Sequence, residues 1–324
     1  MKISFIIVAF NAAGSLNALL EDLLAQTIPH EQIEALLVDS ASTDATRAIM
    51  LDFARNAPFE VKVLDNPKRW LASGINVALG AATGDAIIRL DAHARIPKDF
   101  LQKNLQALER GEDIVGGCVL GGAPSGAWES VLRTVDTSRF CGGAAPFRNG
   151  GEARYVDTLA YALYRREVYD QVGLYDERLR RTEDNDMHYR MRKAGYRFYF
   201  SPDIVSYHAA RATMRGQLRQ KWGNGYWIGR TMRIQPRCFA PRHLIPALFV
   251  LALLAGLLLL PLSAWPLLLL LFAYLACDLV FAVRGALSQE TGRLLALLTL
   301  PLLFPAVHVV YGVGTLAGLL SGKE

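Results

Sequence analysis

Cysteine is scarce in this sequence, and its few cysteines stand far apart. Four occur among the 324 residues, at Cys118, Cys141, Cys238 and Cys277. No two of them have the close spacing of zinc ligands or of a redox pair, which excludes a zinc-finger motif and a Cys-x-x-Cys motif. Isolated reduced thiols of this kind indicate a cytosolic compartment.

The sequence also lacks a secretory signal, a dinucleotide fingerprint and a nucleic-acid-binding module. The apolar run Ile3–Val8 is too short for a signal peptide, so it predicts a first buried strand. No Gly-x-Gly-x-x-Gly follows this run, which disfavours a dinucleotide cofactor. Although the net charge is +5, no recognisable binding module accompanies it, and we therefore expect no nucleic-acid partner.

The positive charge is concentrated just before the apolar end of the chain. The basic residues of this segment are Arg211, Arg215, Arg219, Lys221, Arg230, Arg233, Arg237 and Arg242. A basic segment before an apolar stretch is typical of the cytoplasmic face of a membrane, and it would attract anionic substrates. Its apolar residues repeat every four between 211 and 234. This spacing predicts an amphipathic helix that lies in the membrane interface or packs against the soluble part.

Beyond residue 243 the chain is almost uncharged. Its apolar stretches are Leu244–Leu262, Ala264–Val283 and Leu294–Leu320. Each is long enough to span a bilayer, although the tight link at Ser263-Ala264 also allows a re-entrant hairpin. With the basic segment in front, we expect a multi-pass protein of the plasma (inner) membrane with its N-terminal domain on the cytoplasmic face. Asp278 and His308 lie at membrane depth, and we expect them to face the bundle.

The first part of the chain alternates between strand and helix patterns. Apolar strand runs are predicted at Ile3–Ala9, Ile33–Val38 and Val61–Leu64, and a fourth ends in Asp91. Helical spacing separates each run from the next, which predicts a doubly wound α/β fold. Further along, Val156–Tyr164 is predicted to be a strand. The Gly-rich stretch Cys141–Gly151 is predicted to be a binding loop.

The stretch Arg89-Leu90-Asp91-Ala92-His93 carries the strongest chemical signal. Alternate residues of a strand point to the same side, so Asp91 and His93 are expected to face one site. A carboxylate and an imidazole there are suited to a divalent cation, which in turn binds a diphosphate. His208 would complete the cation site, and Arg211 would take a phosphate. The alternative is a strand end capped by polar residues.

Two further acidic positions fall at expected ligand-binding edges. Asp39 closes the second strand, where it would accept hydrogen bonds from a base or from ribose hydroxyls, unless it is only a turn residue. Glu183 and Asp184 follow Thr182 in the first turn of a predicted helix that ends at Gly195. A carboxylate held there would serve as a general base for a hydroxyl; the alternative is compensation of the helix dipole.

Taken together, these motifs resemble family 2 glycosyltransferases of the GT-A fold, and most closely the ExoA type of succinoglycan biosynthesis. The resemblance covers about residues 3–235. The motifs that carry it are Phe10-Asn11, Asp39-Ser40-Ala41-Ser42-Thr43-Asp44, Asn66-Pro67-Lys68-Arg69, Arg89-Leu90-Asp91-Ala92-His93-Ala94 and Thr182-Glu183-Asp184. Most relatives have Asp-x-Asp at the central motif, where this chain has His93 in the third position.

The resemblance implies a Rossmann-like, doubly wound mixed sheet in residues 1–210. A basic juxtamembrane segment (211–242) and about three transmembrane helices (243–322) would follow. The implied activity is an inverting transfer of one sugar from a UDP-sugar to a membrane-anchored, polyprenyl-diphosphate-linked saccharide. Such a reaction belongs to the synthesis of exopolysaccharides or cell-envelope glycans, in which other glycan-assembly enzymes are possible partners.

The resemblance also implies roles for individual residues. Asp39 would hold the uridine beside Ala9 and Asn11, and Asp91 with His93 and His208 would hold Mg²⁺ or Mn²⁺. Asp184 would be the catalytic base, with Glu183 beside it at the acceptor site. The position of Lys221 and Trp222 partly matches the Gln-x-x-Arg-Trp motif of processive synthases, which predicts a contact with substrate.

Three other functions remain open at this point. A processive polysaccharide synthase is disfavoured by the partial motif Arg219-Gln220-Lys221-Trp222 and by only about three spans. A non-catalytic membrane scaffold is disfavoured because all three carboxylate sites are present. A membrane-bound glycoside hydrolase with paired carboxylates would need neither a metal nor a nucleotide.

Overall fold

The computed structural model describes residues 1–122, 124, 126–141, 146–208 and 213–322. Within these ranges the chain forms two compact units. The first comprises Met1–Gly122 and Pro146–Ala209, and the second comprises Ala123–Ala145 and Ala210–Glu324. Each unit therefore contains a segment from the middle of the chain. The predicted phosphate-binding residue Arg211 lies outside the described residues.

The strands all belong to the first unit. They are β1 (Ile3–Ala9), β2 (Ile33–Asp39), β3 (Glu60–Asp65), β4 (Ala86–Asp91), β5 (Ala94–Arg95), β6 (Ile114–Gly121), β7 (Arg154–Val156), β8 (Leu163–Arg165) and β9 (Phe198–His208). The α-helices occur in both units. In chain order they are α1 (Leu16–Leu24), α2 (Thr46–Asn56), α3 (Leu71–Ala81), α4 (Phe100–Glu109), α5 (Ala127–Thr137), α6 (Pro146–Asn149), α7 (Arg166–Val172), α8 (Glu183–Lys193), α9 (Met214–Met232), α10 (Ile245–Leu259), α11 (Trp265–Leu287) and α12 (Arg293–Leu320).

The described strands form one mixed sheet in the order β3-β2-β1-β4-β8-β6-β9-β5, with β7 paired to β9. The neighbouring strands β3, β2, β1 and β4 are parallel to one another. Strand β8 lies between β4 and β6 and is antiparallel to both. Buried clusters cover both faces, which explains why β1 is an almost continuous apolar run: Phe5 and Ile7 pack on one face and Ile6 on the other. The predicted doubly wound mixed sheet is confirmed.

A close approach of β6 and β9 explains why β6 contains the glycine pair Gly116-Gly117. The register between β6 and β9 shifts at Gly117. A Cβ atom placed on Gly117 would lie only 1.9 Å from the carbonyl oxygen of Ile204. Any side chain there would push the two strands apart, so glycine is required at this bulge.

Two local predictions were wrong. The predicted strand Val156–Tyr164 is interrupted: β7 ends at Val156, and β8 begins only at Leu163. Tyr161, between them, has a positive φ of 52°, which is incompatible with an extended run. The predicted loop Cys141–Gly151 contains the short helix α6.

The second unit contains α5 and α9–α12. Three of its helices are long and apolar enough to cross a membrane, at Pro241–Leu259, Trp265–Leu287 and Arg293–Leu320. The prediction of three apolar C-terminal helices is confirmed, whereas their orientation stays a prediction. Helix α5 falls in this unit, although the sequence analysis placed it in a catalytic domain of residues 1–210.

Helix α9 packs closely along α12 through glycine. A Cβ atom on Gly229 would lie 2.1 Å from the carbonyl oxygen of Thr315, and one on Gly225 would lie 2.2 Å from that of Tyr311. These contacts occupy one side of the predicted amphipathic helix. They were not foreseen from the sequence, because the four-residue apolar repeat marks Met214, Leu218, Trp222 and Tyr226 instead.

Two polar residues of the apolar helices are buried within the second unit, but they differ in their hydrogen bonding. The ring nitrogens of His308 lie 2.8 Å from the Tyr274 hydroxyl and 2.7 Å from the Phe140 carbonyl oxygen. Asp278 is fully buried, and neither of its carboxylate oxygens has a hydrogen-bond partner within the described parts of the chain. Burial of an unpartnered carboxyl group is unfavourable, so Asp278 reduces the stability of this unit.

Replacement of Asp278 by leucine should therefore stabilise the protein. We expect Asp278→Leu to raise the free energy of unfolding by about 1–3 kcal/mol, because the unpaired polar group is removed. Thermal unfolding of the full chain in detergent, followed by circular dichroism, measures this as a higher Tm. The control Tyr274→Phe removes a satisfied hydrogen bond and should lower the Tm. A lower Tm for Asp278→Leu would contradict this interpretation.

Candidate active site

The carboxyl ends of the parallel strands bring two of the predicted acids to one edge of the sheet. Asp39 pairs with Ala9 across β2 and β1, and Asp91 pairs with Val8 across β4 and β1. Parallel strands in register end together, and the side chains that follow them line the crevice where such folds bind ligands.

Three predicted metal ligands come together at the end of β4. One donor atom from each of Asp91, His93 and His208 lies within 4.8 Å of the others. The prediction that Asp91 and His93 are alternate residues of one strand was wrong, because β4 ends at Asp91 and His93 lies in the turn that follows. Strand β5 then pairs Ala94 with His208 of β9. This pairing brings the ring centroids of His93 and His208 within 4.5 Å of each other. One carboxylate and two imidazoles form a donor set that fits a divalent transition-metal ion.

Tyr161 supports this cluster, and the sequence analysis did not identify it. Its hydroxyl donates to the Asp91 carboxylate over 2.9 Å and lies 3.1 Å from Nδ1 of His208. Because the hydroxyl proton goes to Asp91, Nδ1 of His208 must carry a proton to make the second bond. In the neutral ring, this proton on Nδ1 makes Nε2 the nitrogen suited to bind a metal ion. Burial and the adjacent Asp91 raise the pKa of Tyr161, so the hydroxyl stays protonated.

Arg89 holds the predicted base. It lies two residues before Asp91 on β4, so both side chains point to the same face of the sheet. Its two terminal nitrogens donate to the two carboxylate oxygens of Asp184, at 3.0 and 2.8 Å. Burial lowers the pKa of Arg89, but nearby carboxylates raise it well above the ordinary value, so the guanidinium stays charged. Asp184 retains 38% of its side-chain exposure and is therefore accessible to a substrate.

Glu183, the neighbour of Asp184, is in a different environment. It is buried, one carboxylate oxygen lies 3.8 Å from Arg89, and the other has no hydrogen-bond partner within the described residues. Burial and the negative charge of Asp184 raise the pKa of Glu183 to about 7. This environment thus favours the neutral form of Glu183.

Two other polar residues of α8, His188 and Asp186, have their hydrogen-bond partners elsewhere. The ring nitrogens of His188 lie 2.8 Å from the hydroxyl of Thr158 and 2.9 Å from that of Tyr164, and burial lowers the pKa of His188 to about 4. Asp186 accepts from Arg190 one turn later, at 2.8 Å. Both residues therefore have structural partners, and Glu183 and Asp184 remain as the acids of this helix near β4.

Asp39 lies in a pocket made by the turn after β2. Its carboxylate is buried, accepts from the backbone N–H of Ser42 at 3.1 Å, and lies 3.7 Å from a guanidinium nitrogen of Arg47. Asn11, with a positive φ of 49°, accepts from the backbone N–H of Thr43 at 2.8 Å. The ends of β1 and β2 are thereby tied together around the Asp39 carboxylate.

Two predicted substrate contacts lie in the second unit. Lys221 is buried there and forms an ion pair of 2.9 Å with Asp136. Trp222 is 43% exposed. The ion pair gives Lys221 a role within its own unit, and the partial motif of these two residues stays a prediction.

Comparison with known proteins identifies the family. The sequence matches the model of the family described as Glycosyl transferase family 2 over residues 4–173, which is more than half of the chain. The chain belongs to glycosyltransferase family 2. It is a glycosyltransferase of glycan biosynthesis, and the resemblance inferred from its motifs is confirmed.

Its curated relatives act in glycan assembly. The chain is 30% identical over 225 residues to the succinoglycan biosynthesis protein ExoA of Rhizobium meliloti, an alignment that covers 68% of this chain and 67% of ExoA. It is 25% identical over 334 residues to a dolichyl N-acetyl-alpha-D-glucosaminyl phosphate 3-beta-D-2,3-diacetamido-2,3-dideoxy-beta-D-glucuronosyltransferase of Methanococcus voltae. That alignment covers 99% of this chain and 98% of the relative.

Solved structures confirm the GT-A-like fold. The mannosyltransferase PcManGT of Pyrobaculum calidifontis, in complex with GDP-Man and Mn²⁺, matches with a TM-score of 0.63 at 22% identity, over 98% of this chain and 87% of that one. S. aureus TarS 1–349, in complex with UDP-GlcNAc, matches with a TM-score of 0.52 at 21% identity, over 70% of this chain and 66% of that one. At such identities the similarity concerns the fold alone.

Proposed function

We propose that this enzyme transfers a single sugar, with inversion, from a UDP-sugar to a polyprenyl-diphosphate-linked saccharide in the synthesis of exopolysaccharide or cell-envelope glycan. The observation that carries the proposal is the arrangement at β4. Arg89 of this strand binds the carboxylate of Asp184, which is suited to act as a base. Asp91 of the same strand belongs, with His93 and His208, to the group of potential metal ligands, here called the metal-type cluster. A donor diphosphate on Asp91 would therefore lie beside Asp184.

The nucleotide end of the donor is assigned to the edge formed by β1 and β2. The buried Asp39 would accept from the uracil N–H or the ribose hydroxyls, and the backbone at Ala9 and Asn11 would line the same pocket. The tied turn after β2 supports this assignment, because it fixes the direction of the Asp39 carboxylate before any ligand binds.

Asp91, His93 and His208 would hold a divalent cation. A bound cation supplies charge neutralisation of the diphosphate leaving group. Two imidazoles favour Mn²⁺ over Mg²⁺, which prefers oxygen ligands, and the PcManGT structure contains Mn²⁺. Tyr161 would keep Asp91 and His208 in place for this ion.

Asp184 is proposed as the base. Its carboxylate would accept the proton of the acceptor hydroxyl while the oxygen attacks the anomeric carbon from the face opposite the diphosphate. An α-linked donor would then give a β-linked product. The bidentate bond to Arg89 fixes the direction of the carboxylate, and the exposed fraction of Asp184 leaves room for the acceptor.

The acceptor is proposed to be anchored in the membrane. Three helices of sufficient length and hydropathy support this, as does the basic segment before them, which would attract a lipid diphosphate. The same segment supports a multi-pass topology in the plasma (inner) membrane with the catalytic unit on the cytoplasmic face.

An assay of UDP release by the purified full chain in detergent tests the proposed function. A panel of UDP-sugars is incubated with Mn²⁺, Mg²⁺ or EDTA, with and without an extract of lipid-diphosphate saccharides. We expect metal-dependent release with one donor, a higher rate with the extract, and a product heavier by one sugar. A ladder of product masses would indicate processive synthesis. No release together with no UDP binding would refute the donor assignment.

Replacement of Asp184 by asparagine tests the base. We expect Asp184→Asn to lower the turnover rate by about 10²–10⁴-fold, because the amide cannot take up the proton. Binding of UDP, measured by calorimetry, should be unchanged. The matched control is Asp186→Asn on the same helix, which should remain active. A fully active Asp184→Asn enzyme would remove this residue from the chemistry.

Replacement of Tyr161 by phenylalanine tests the support of the metal cluster. We expect Tyr161→Phe to weaken Mn²⁺ binding by about tenfold or more, because Asp91 and His208 both lose the hydroxyl that orients them. Electron paramagnetic resonance of free Mn²⁺ measures this affinity directly. The control Tyr164→Phe removes a hydroxyl that contacts His188 instead, and it should bind Mn²⁺ as the wild type does. Equal affinity in both variants would contradict the role of Tyr161.

A further inference from the structure

The pair formed by Arg89 and Asp184 has a property that the proposed reaction must overcome. Both carboxylate oxygens of Asp184 accept a hydrogen bond from this guanidinium. An acceptor hydroxyl must therefore compete with Arg89 for the same oxygens. An oxygen of Asp184 is released for the hydroxyl only if the guanidinium moves part of its bonding elsewhere.

Glu183 is the group to which that bonding can move. One of its oxygens lies 3.8 Å from Nη1 of Arg89, which is just beyond hydrogen-bond distance. Its second oxygen is buried and has no hydrogen-bond partner within the described residues. A buried carboxyl group with an unpartnered oxygen is either protonated, and therefore neutral, or carries a negative charge that no hydrogen bond to this oxygen stabilises. When ionised, it would attract the guanidinium of Arg89 across this short distance.

We propose that Glu183 is a positioning residue that releases one oxygen of the base by competing with Asp184 for the guanidinium of Arg89. With Glu183 neutral, Arg89 bonds to Asp184 in the observed bidentate manner. With Glu183 ionised, Arg89 shares its donors between the two carboxylates, and one oxygen of Asp184 is released to accept the proton of the acceptor hydroxyl. This inference rests on the proposed role of Asp184.

The charge balance around Arg89 supports this competition. Among the described residues, the groups that interact electrostatically with Arg89, Glu183 or Asp184 include Asp91 of β4, His188 of α8, and the tyrosines Tyr161, Tyr164, Tyr169 and Tyr175. The carboxylates of Asp91, Glu183 and Asp184 all raise the pKa of Arg89. Burial lowers the pKa of His188 to about 4 and raises those of the four tyrosines, so these five groups do not titrate near neutrality.

The sign of the expected pH dependence follows from this arrangement. The pKa of Glu183 is raised to about 7, so this carboxyl group is mostly protonated at pH 6 and mostly ionised at pH 8. Since ionised Glu183 releases Asp184, the turnover rate should rise as the pH increases through 7. We expect a rise of up to about tenfold, a small part of the roughly 10²–10⁴-fold that a general base contributes.

The variant Glu183→Gln tests the proposal, because glutamine has nearly the same shape and stays neutral. We measure turnover against pH from 6 to 8 with the full chain in detergent, at saturating Mn²⁺ and donor so that cation binding does not limit the rate. The wild type should gain about tenfold across this range. Glu183→Gln should match the wild type at pH 6 and stay flat to pH 8. The matched control is Glu167→Gln, at an exposed acid in the first turn of α7, and it should follow the wild type.

A second variant keeps the proposal testable if Glu183→Gln does not fold. Arg89→Lys keeps one positive charge but cannot bind two carboxylates with a planar fork, so it should also lose the rise through pH 7. A rise that persists in either folded variant would overturn the proposal. The proposed base has its own test, because an inactive Asp184→Asn enzyme beside an unchanged pH profile in Glu183→Gln would reject only the competition for Arg89.

Discussion

The guanidinium of Arg89 is the charge on which the arrangement of the catalytic unit depends. It is largely buried and is bonded to Asp184, while Glu183 and Asp91 lie close enough to raise its pKa. Three carboxylates at one place would repel one another and lose their charge without a cation between them. Because Arg89 and Asp91 stand two residues apart on β4, the same strand orients the proposed base and one metal-type ligand. We infer that this shared strand holds the proposed base and the proposed cation site at a fixed separation.

The metal-type cluster depends on long-range strand pairing rather than on its short motif. Asp91 ends β4, but His93 turns away from the strand. The two-residue strand β5 pairs with the end of β9 and thereby brings His208 close, although it lies more than one hundred residues further along the chain. Tyr161, whose own φ is positive, makes hydrogen bonds to both Asp91 and His208. Strained backbone at such a position is characteristic of functional sites.

Local pattern was sufficient to predict the fold and the three apolar helices, because each depends on periodicity, whereas the roles of the acidic residues stay predictions. It failed where tertiary contacts decide. Tyr161 lies in a stretch whose apolar residues predicted a strand, and nothing in that stretch indicates that its hydroxyl meets Asp91. Arg89 belongs to a recognised motif, yet its bond to Asp184 joins residues 95 positions apart. The pairing of Lys221 with Asp136, within the second unit, has no sequence signal for the same reason.

We propose that the end of β4 holds the cation and the diphosphate of the donor beside Asp184. The decisive experiment is a crystal structure of the full chain with UDP and Mn²⁺, with diffraction recorded at the manganese absorption edge. This assignment predicts one anomalous peak bound by Asp91, His93 and His208, with the diphosphate on its other side and the uridine against Asp39. An anomalous peak that contacts the diphosphate but none of these three side chains would contradict it.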